Sequence, residues 1–369
     1  MLFALKSPLL LYAFRYRSER TSASGFALGR FMILPMHDRR SLLCSTLLCV
    51  GFCAFAFAAL GATAQQTPRV PRIGFVANAP WRSFSTHEAF LAGMRDHGYV
   101  EGRDYIMEAR NAEGKAERFT DLSVELARLP VDVLLVSVCG APLNAARQAT
   151  QTIPIIVATC NDDLVESGIV KSMKRPGGNI TGLSKLSPEL ASKRLSLLKQ
   201  ALPSISNVAV LWNPGYSDFK ADWRELKAAA QRMGITLHSF EFRGIDDLAA
   251  AFDAMRREHV EAMITFSDVL SFVYARQFAE LAATARLPAM YAFREVPDAG
   301  GLMSYGPDIP DMFRHSADYV VRILKGANTA DMAIEQPTKF ELVINLKTAR
   351  TLSITIPRNV LLQADERIE

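Results

Sequence analysis

The chain has 369 residues, 49% apolar and 22% charged, which is enough for one large domain or two medium ones with their own cores and excludes a disordered polymer. Its net charge of +4 is concentrated at the start: residues 1–64 hold seven basic and two acidic side chains, and residues 65–369 hold 35 basic and 36 acidic ones. The body of the protein therefore lacks the basic footprint of a nucleic-acid binder.

From Met36 the chain reads Met-His-Asp-Arg-Arg, then an uncharged apolar run from Leu42 to Leu60, then Gly61-Ala62-Thr63-Ala64-Gln65. A short positive segment, an apolar core and a small-x-small site predict a signal peptide over 36–64, cleaved after Ala64, with the mature chain in the periplasm. Left uncleaved, the same run is long enough to hold the protein at a membrane. Cys44, Cys49 and Cys53 lie within it, and none follows the small residue that a lipid-attachment site needs. Residues 1–35 read as an extension upstream of the true start at Met36.

After Pro71, short aliphatic runs alternate with amphipathic stretches, the pattern of parallel βα units. Strands are expected over 72–77, 105–109, 131–137, 153–159 and 180–183, with helices over 86–97, 116–129 and 142–149. In the second of these helices, Phe119, Leu122, Leu126 and Leu129 recur at three- and four-residue steps and mark one buried face. Pro176-Gly177-Gly178 predicts a turn, and the Asn179-Ile180-Thr181 sequon reads as chance. The order then repeats: strands over 208–212, 236–242, 262–266, 289–293 and 302–305, helices over 222–233, 247–259 and 272–286. Ile73 aligns with Val208, Val131 with Val260 and Pro154 with Pro288. The fold class is thus α/β, with two similar doubly wound parallel-sheet lobes and Rossmann-like architecture.

In open parallel sheets, ligands bind beyond the carboxyl ends of the strands, where helix N-termini present free N–H groups. That places the candidates directly after each strand. The first lobe offers Asn78, Trp81, Cys139, Gly140, Ala141, Asn161 and Asp163; the second offers Asn213, Asp268, Phe293 and Glu295. Each polar member is equally suited to cap a helix or shape a turn. Of the aromatic residues nearby, Trp81 and Phe293 follow their strands and suit stacking on a ligand, whereas Trp212 and Tyr291 suit the core. Tyr216 is a further aromatic near the expected cleft.

Enzyme chemistry lacks its geometry. There is no G-x-G-x-x-G after the first strand, no P-loop and no G-x-S-x-G elbow. His87, His97, His238, His259 and His315 are scattered without metal-ligand spacing, and none is placed by the sequence to activate Cys139. No metal, no cofactor and no catalysis are expected. Cys139 and Cys160 are the only cysteines after residue 64, at the ends of consecutive strands. Neighbouring strands lie roughly 4.8 Å apart, which permits a disulfide but leaves two free thiols equally open.

Four segments carry a resemblance: Phe90-Leu-Ala-Gly-Met-Arg-Asp-His-Gly-Tyr-Val-Glu-Gly-Arg103, Arg175-Pro-Gly-Gly-Asn-Ile-Thr-Gly-Leu-Ser184, Ala299-Gly-Gly-Leu-Met-Ser-Tyr-Gly306 and Gln336-Pro-Thr-Lys-Phe-Glu-Leu-Val-Ile-Asn-Leu-Lys347. From about Arg72 to its end the chain resembles the ABC transporter substrate-binding protein family, whose better-understood members bind tryptophan or tyrosine. The resemblance implies the type I periplasmic-binding-protein fold: two lobes joined by three crossovers that close on a small ligand by hinge motion. Lobe 1 would be 68–183 plus 303–328 and lobe 2 184–302 plus 329–369, with 188–202 packing on lobe 2 and 312–324 on lobe 1. The implied partners are a small organic ligand, an amino acid or aromatic compound, and an ABC transporter permease, with the protein acting as a monomer. The alternative is a membrane-anchored ligand-sensing module of the same fold.

Two motifs depart from the family. Its Gly-Thr-Pro after the third strand is here Gly140-Ala141-Pro142, and its Asp-Pro-Val after the fourth is Asp163-Leu164-Val165. Ala141 lacks the hydroxyl that would meet a ligand carboxylate, which weakens the expectation of an α-amino acid. Asp268 stands where amino-acid-binding members place an acidic residue near the ligand ammonium.

Overall fold

The computed structural model describes residues 69–369 apart from 79, 81, 83, 114, 186–188 and 215–218. The expected signal segment, Trp81 and Tyr216 thus lie outside the described residues.

Strands β1 (Arg72–Ala77), β2 (Ile106–Asn111), β3 (Val133–Val136), β4 (Ile155–Cys160) and β5 (Ile180–Ser184) form one parallel sheet in the order β2-β1-β3-β4-β5. Every residue of β3 and β4 is buried, which is why both read as unbroken apolar runs rather than alternating ones. Helices α1 (Ser85–Asp96), α2 (Arg118–Arg128) and α3 (Ala141–Ala149) flank the sheet. The apolar face of α2 is confirmed, with Phe119 and Leu126 buried and Leu122 and Leu129 packed beside them.

The second lobe begins with α4 (Glu189–Ala201) and then runs β6 (Asn207–Trp212), α5 (Phe219–Met233), β7 (Thr236–Glu241), α6 (Leu248–Arg257), β8 (Ala262–Thr265), α7 (Val269–Val273), α8 (Ala275–Thr284), β9 (Ala289–Tyr291), α9 (Glu295–Asp298) and β10 (Met303–Pro307). After α10 (Ile309–Leu324) the chain adds β11 (Phe340–Asn345), α11 (Leu346–Thr351), α12 (Arg358–Leu361) and β12 (Glu366–Ile368). Its sheet runs β12-β11-β10-β9-β8-β6-β7, so β7-β6-β8-β9-β10 repeats the first sheet's order. The registers also match. Ile73 pairs with Val133 and Val208 with Ala262; Leu134 pairs with Ile155 and Met263 with Ala289. The residue alignment read from the sequence carries each pair onto the other.

The two crossover helices lie where the resemblance put them. Helix α4 packs on α5, β9 and β10, while α10 packs on α1, β3 and β4. Gly93 permits the second contact, since a Cβ there would sit 2.3 Å from the Arg314 carbonyl oxygen.

Four expectations need correcting. Residues 303–307, placed with lobe 1, are β10 and pair with β9 and β11 in the second sheet, because the duplicated unit closes with its own fifth strand. Residues 329–335, placed with lobe 2, stay on the first: Thr181 Oγ1 donates to the Met332 carbonyl at 2.8 Å and Ile334 N–H to the Met173 carbonyl at 2.7 Å. The helix expected over 272–286 is two helices, α7 and α8, divided at Tyr274. Strands β11 and β12 were not foreseen; β11 runs antiparallel to β10, outside the repeated βα pattern.

Candidate functional site

Among the described residues, two cavities open between the lobes at the carboxyl ends of the strands. The narrower is bounded by Asn78 and Val138 of the first lobe, by Val269 and Phe272 of α7, by Phe293, and by Lys185. Three rings meet there. Phe84, the residue before α1, lies 5.9 Å from Phe272, and Phe272 lies 5.8 Å from Phe293, edge to face. Phe293 is 2% exposed and shares an apolar cluster with Ile309 and Phe313 of α10, so the second lobe's ring is seated against the first lobe's crossover helix.

Lys185 is the charged side chain among the described residues of this cavity wall. It follows β5 directly, and its backbone N–H donates to the Cys160 carbonyl at 2.6 Å. Its ammonium stands 4.6 Å above the centre of the Phe293 ring. Among the described residues it has no hydrogen bond or ion pair. Burial pushes it down to about 7, helped by the Arg194 charge and opposed by Asp268, Glu295 and Asp222. Arg194 itself is buried within the second lobe. Its Nε donates to the Tyr305 carbonyl at 2.7 Å and its Nη2 to Ser267 Oγ at 3.2 Å, which ties α4 to β10 and to the loop after β8.

The wider cavity is lined by Asn78, Cys139, Gly140, Ala141, Asn213 and Asp268, together with neighbours of both lobes. Gly140 takes φ of 81°, a conformation that favours glycine, and so turns the chain from β3 into α3. No side chain caps α3, and Gly140, Ala141 and Pro142 at its start line this space. Cys139 and Cys160 are joined in a disulfide with Cα atoms 5.0 Å apart. Asn161 N–H points at Cys139 Sγ, 3.1 Å away. The sulfurs and a carboxylate oxygen of Asp162 lie within 4.8 Å of one another, but a disulfide offers no thiolate to a metal.

Asp268 combines a helix cap with a place in a cavity wall. Oδ1 accepts the Leu270 N–H at 2.7 Å and caps α7, and the residue also lines the wider cavity. Burial raises its carboxyl to about 6, against smaller opposing effects of the Leu270 N–H, the Asn213 side chain and Lys185.

Three candidates do not reach either cavity. Asn161 Nδ2 instead donates across the cleft to the Ser267 carbonyl at 3.0 Å, a contact between lobes. Asp163 Oδ1 accepts the Val165 and Glu166 N–H groups, both at 2.9 Å, so its role is to shape its own turn. Glu295 starts α9 with Oε2 buried and unpartnered, and burial pushes its carboxyl up to about 7. Trp212 and Tyr291 are core residues, as expected; Trp212 Nε1 donates to Ser239 Oγ at 2.8 Å.

Lys185, Phe84 and Phe272 were missed. Lys185 obeys the strand-end rule that found the others, yet it lies one residue past the Arg175–Ser184 motif. The sequence pattern puts Phe272 at the start of one helix over 272–286, which hides the short α7.

Residues 83–368 match the profile of the family described as ABC transporter substrate binding protein. The chain belongs to that family. It has the type I periplasmic-binding-protein fold, and it is a solute-binding protein rather than an enzyme. A solved structure of a conserved domain protein from Vibrio cholerae is 26% identical with a TM-score of 0.74, covering 81% of this chain and 100% of that one. A domain from Streptococcus pneumoniae solved in complex with L-Trp is 25% identical with a TM-score of 0.73, covering 81% of this chain and 99% of that one. The tyrosine-binding protein of Clostridioides difficile strain R20291 is 22% identical over 274 residues, covering 72% of this chain and 76% of that protein.

Proposed function

We propose that this protein captures a small organic molecule between its two lobes outside the cytoplasm and delivers it to an ABC transporter permease. The carrying observation is the narrow cavity, whose wall is completed only when Phe84 and Val138 of one lobe meet Phe272 and Phe293 of the other. Neither lobe alone encloses a site, so binding requires the lobes to approach. Export by the segment 36–64, with cleavage after Ala64, supplies the periplasmic location. The ligand-contacting residues on this reading are Asn78, Cys139, Gly140, Ala141, Asn213, Asp268 and Phe293, joined by Lys185, Phe84 and Phe272. An aromatic or otherwise flat apolar body suits the three rings, and the relatives named for tyrosine and solved with L-Trp support that class.

The test is mass spectrometry of small molecules released when protein purified from its own host is denatured. A stoichiometric organic solute is expected. A protein that releases none, and that no solute from host periplasmic extract stabilises against heat, is not a solute carrier.

A further inference from the structure

We propose that the narrow cavity selects an aromatic monocarboxylate that lacks an α-ammonium group, with its ring among Phe84, Phe272 and Phe293 and its carboxylate on Lys185. This rests on the solute-binding reading above and names its substrate class.

Charge balance is the first argument. Among the described residues, the cavity wall presents one cation, Lys185, and no carboxylate. Of the nearby acids, Glu295 lines neither cavity, and Asp268 lines the adjoining one, with Oδ1 on the Leu270 N–H and Oδ2 buried without a hydrogen bond among the described residues. A zwitterion seated here would bring its ammonium toward Lys185 with no anion in the wall to receive it. A monoanion meets in Lys185 the one charge that lines this wall among the described residues.

The second argument is the lysine's isolation. A buried cation is costly unless it is paired and hydrogen-bonded. Lys185 is 7% exposed, and its ammonium is met by the face of Phe293 alone among the described residues. An entering carboxylate supplies the missing partner, with up to three N–H donors converging on it.

Ring geometry is the third. The pairs at 5.9 and 5.8 Å join the first lobe to the second through Phe272, on a five-residue helix. A flat ring packed against this trio from the cavity side touches both lobes while its carboxylate faces Lys185.

Calorimetric titration of the full chain, freed of solute by dialysis, with three probes of one skeleton separates the possibilities: 3-phenylpropanoate, 3-phenylpropanamide and L-phenylalanine. The carboxylate is expected to bind at least about tenfold tighter than the amide or the amino acid, the size of a hydrogen bond to a charged group. Lys185→Met should abolish the preference over the amide and Lys185→Arg, which keeps the charge, should retain it, a contrast that loss of folding would not give. L-phenylalanine binding as tightly as 3-phenylpropanoate, or a carboxylate preference that survives in Lys185→Met, overturns the proposal. Failure of all three probes also overturns it, while release of some other organic solute on denaturation would leave the carrier reading intact.

Discussion

The two lobes share strand order and register, yet their strand ends carry different chemistry. Asn78 aligns with Asn213, and both line the wider cavity; Cys139 aligns with Asp268 and Thr159 with Phe293. Of three matched positions, one keeps its residue. In the first lobe the ends of β3 and β4 are locked by the Cys139–Cys160 disulfide. In the second the matching loops are held by ion pairs and hydrogen bonds, Arg294 bridging Asp298, Glu341 and Glu366, and Arg194 reaching Ser267. Duplication thus preserved what the sheet needs, apolar runs in fixed register. The groups beyond the last strand residue are free of that constraint, and there one lobe became a covalently fixed wall and the other a face of aromatic rings.

The largest expected effect breaks the fixed wall. Replacing both cysteines, Cys139→Ala with Cys160→Ala, should lower unfolding free energy by about 3 kcal/mol, the loop-closure value for a separation of 21 residues. Denaturant titrations of both proteins check this, and alkylation of the native wild type without reductant should add no label. A matching loss is not expected from breaking one tie on the other side, since Arg294→Met removes partly exposed ion pairs worth about 1 kcal/mol or less each.

A second prediction sharpens the contrast through pH. Lys185 titrates near 7 when folded and 10.5 when unfolded, so between those values the unfolded chain holds more protons and stability rises with pH. Glu295, raised to about 7 from 4.5, acts oppositely: over that lower window the unfolded chain holds fewer protons and stability falls as pH rises. Asp268 adds to the fall between 3.8 and about 6. Each group contributes at most about 1.4 kcal/mol per pH unit. Lys185→Met should flatten the rise above pH 7 and Glu295→Gln the fall below it, read as unfolding free energy against pH. Wild-type slopes in both variants would contradict the assigned burial.

The smallest effect concerns Asp268. Because Oδ1 caps α7, Asp268→Ala should cost about 1 kcal/mol and Asp268→Asn only a few tenths, since asparagine caps as well as aspartate. Thermal melts compare the two. Equal losses would mean that the carboxylate charge, and not the cap, holds this loop.

The sheets were legible because burial on both faces leaves apolar runs such as Val133–Val136 that little else produces. The repeat made the lobes legible too, down to register. Lobe boundaries were less so: which sheet claims Met303–Pro307 is decided by pairing with β9 and β11, and no local pattern encodes it. For the site, strand ends identified Asn78, Gly140, Asn213, Asp268 and Phe293 as cavity residues but could not separate them from Asp163, which has the same residue type and placement yet spends its carboxylate on its own turn. Lys185 and Phe272 depend on side chains from distant segments meeting in space, and the sequence holds no sign of that meeting.

The claim that a solute is held between lobes that close on it is tested most directly by small-angle scattering of the solute-free protein, titrated with the molecule it releases on denaturation. The radius of gyration should fall on saturation as the lobes approach. An unchanged radius at saturating ligand would contradict closure and, with it, a binding site shared by the two lobes.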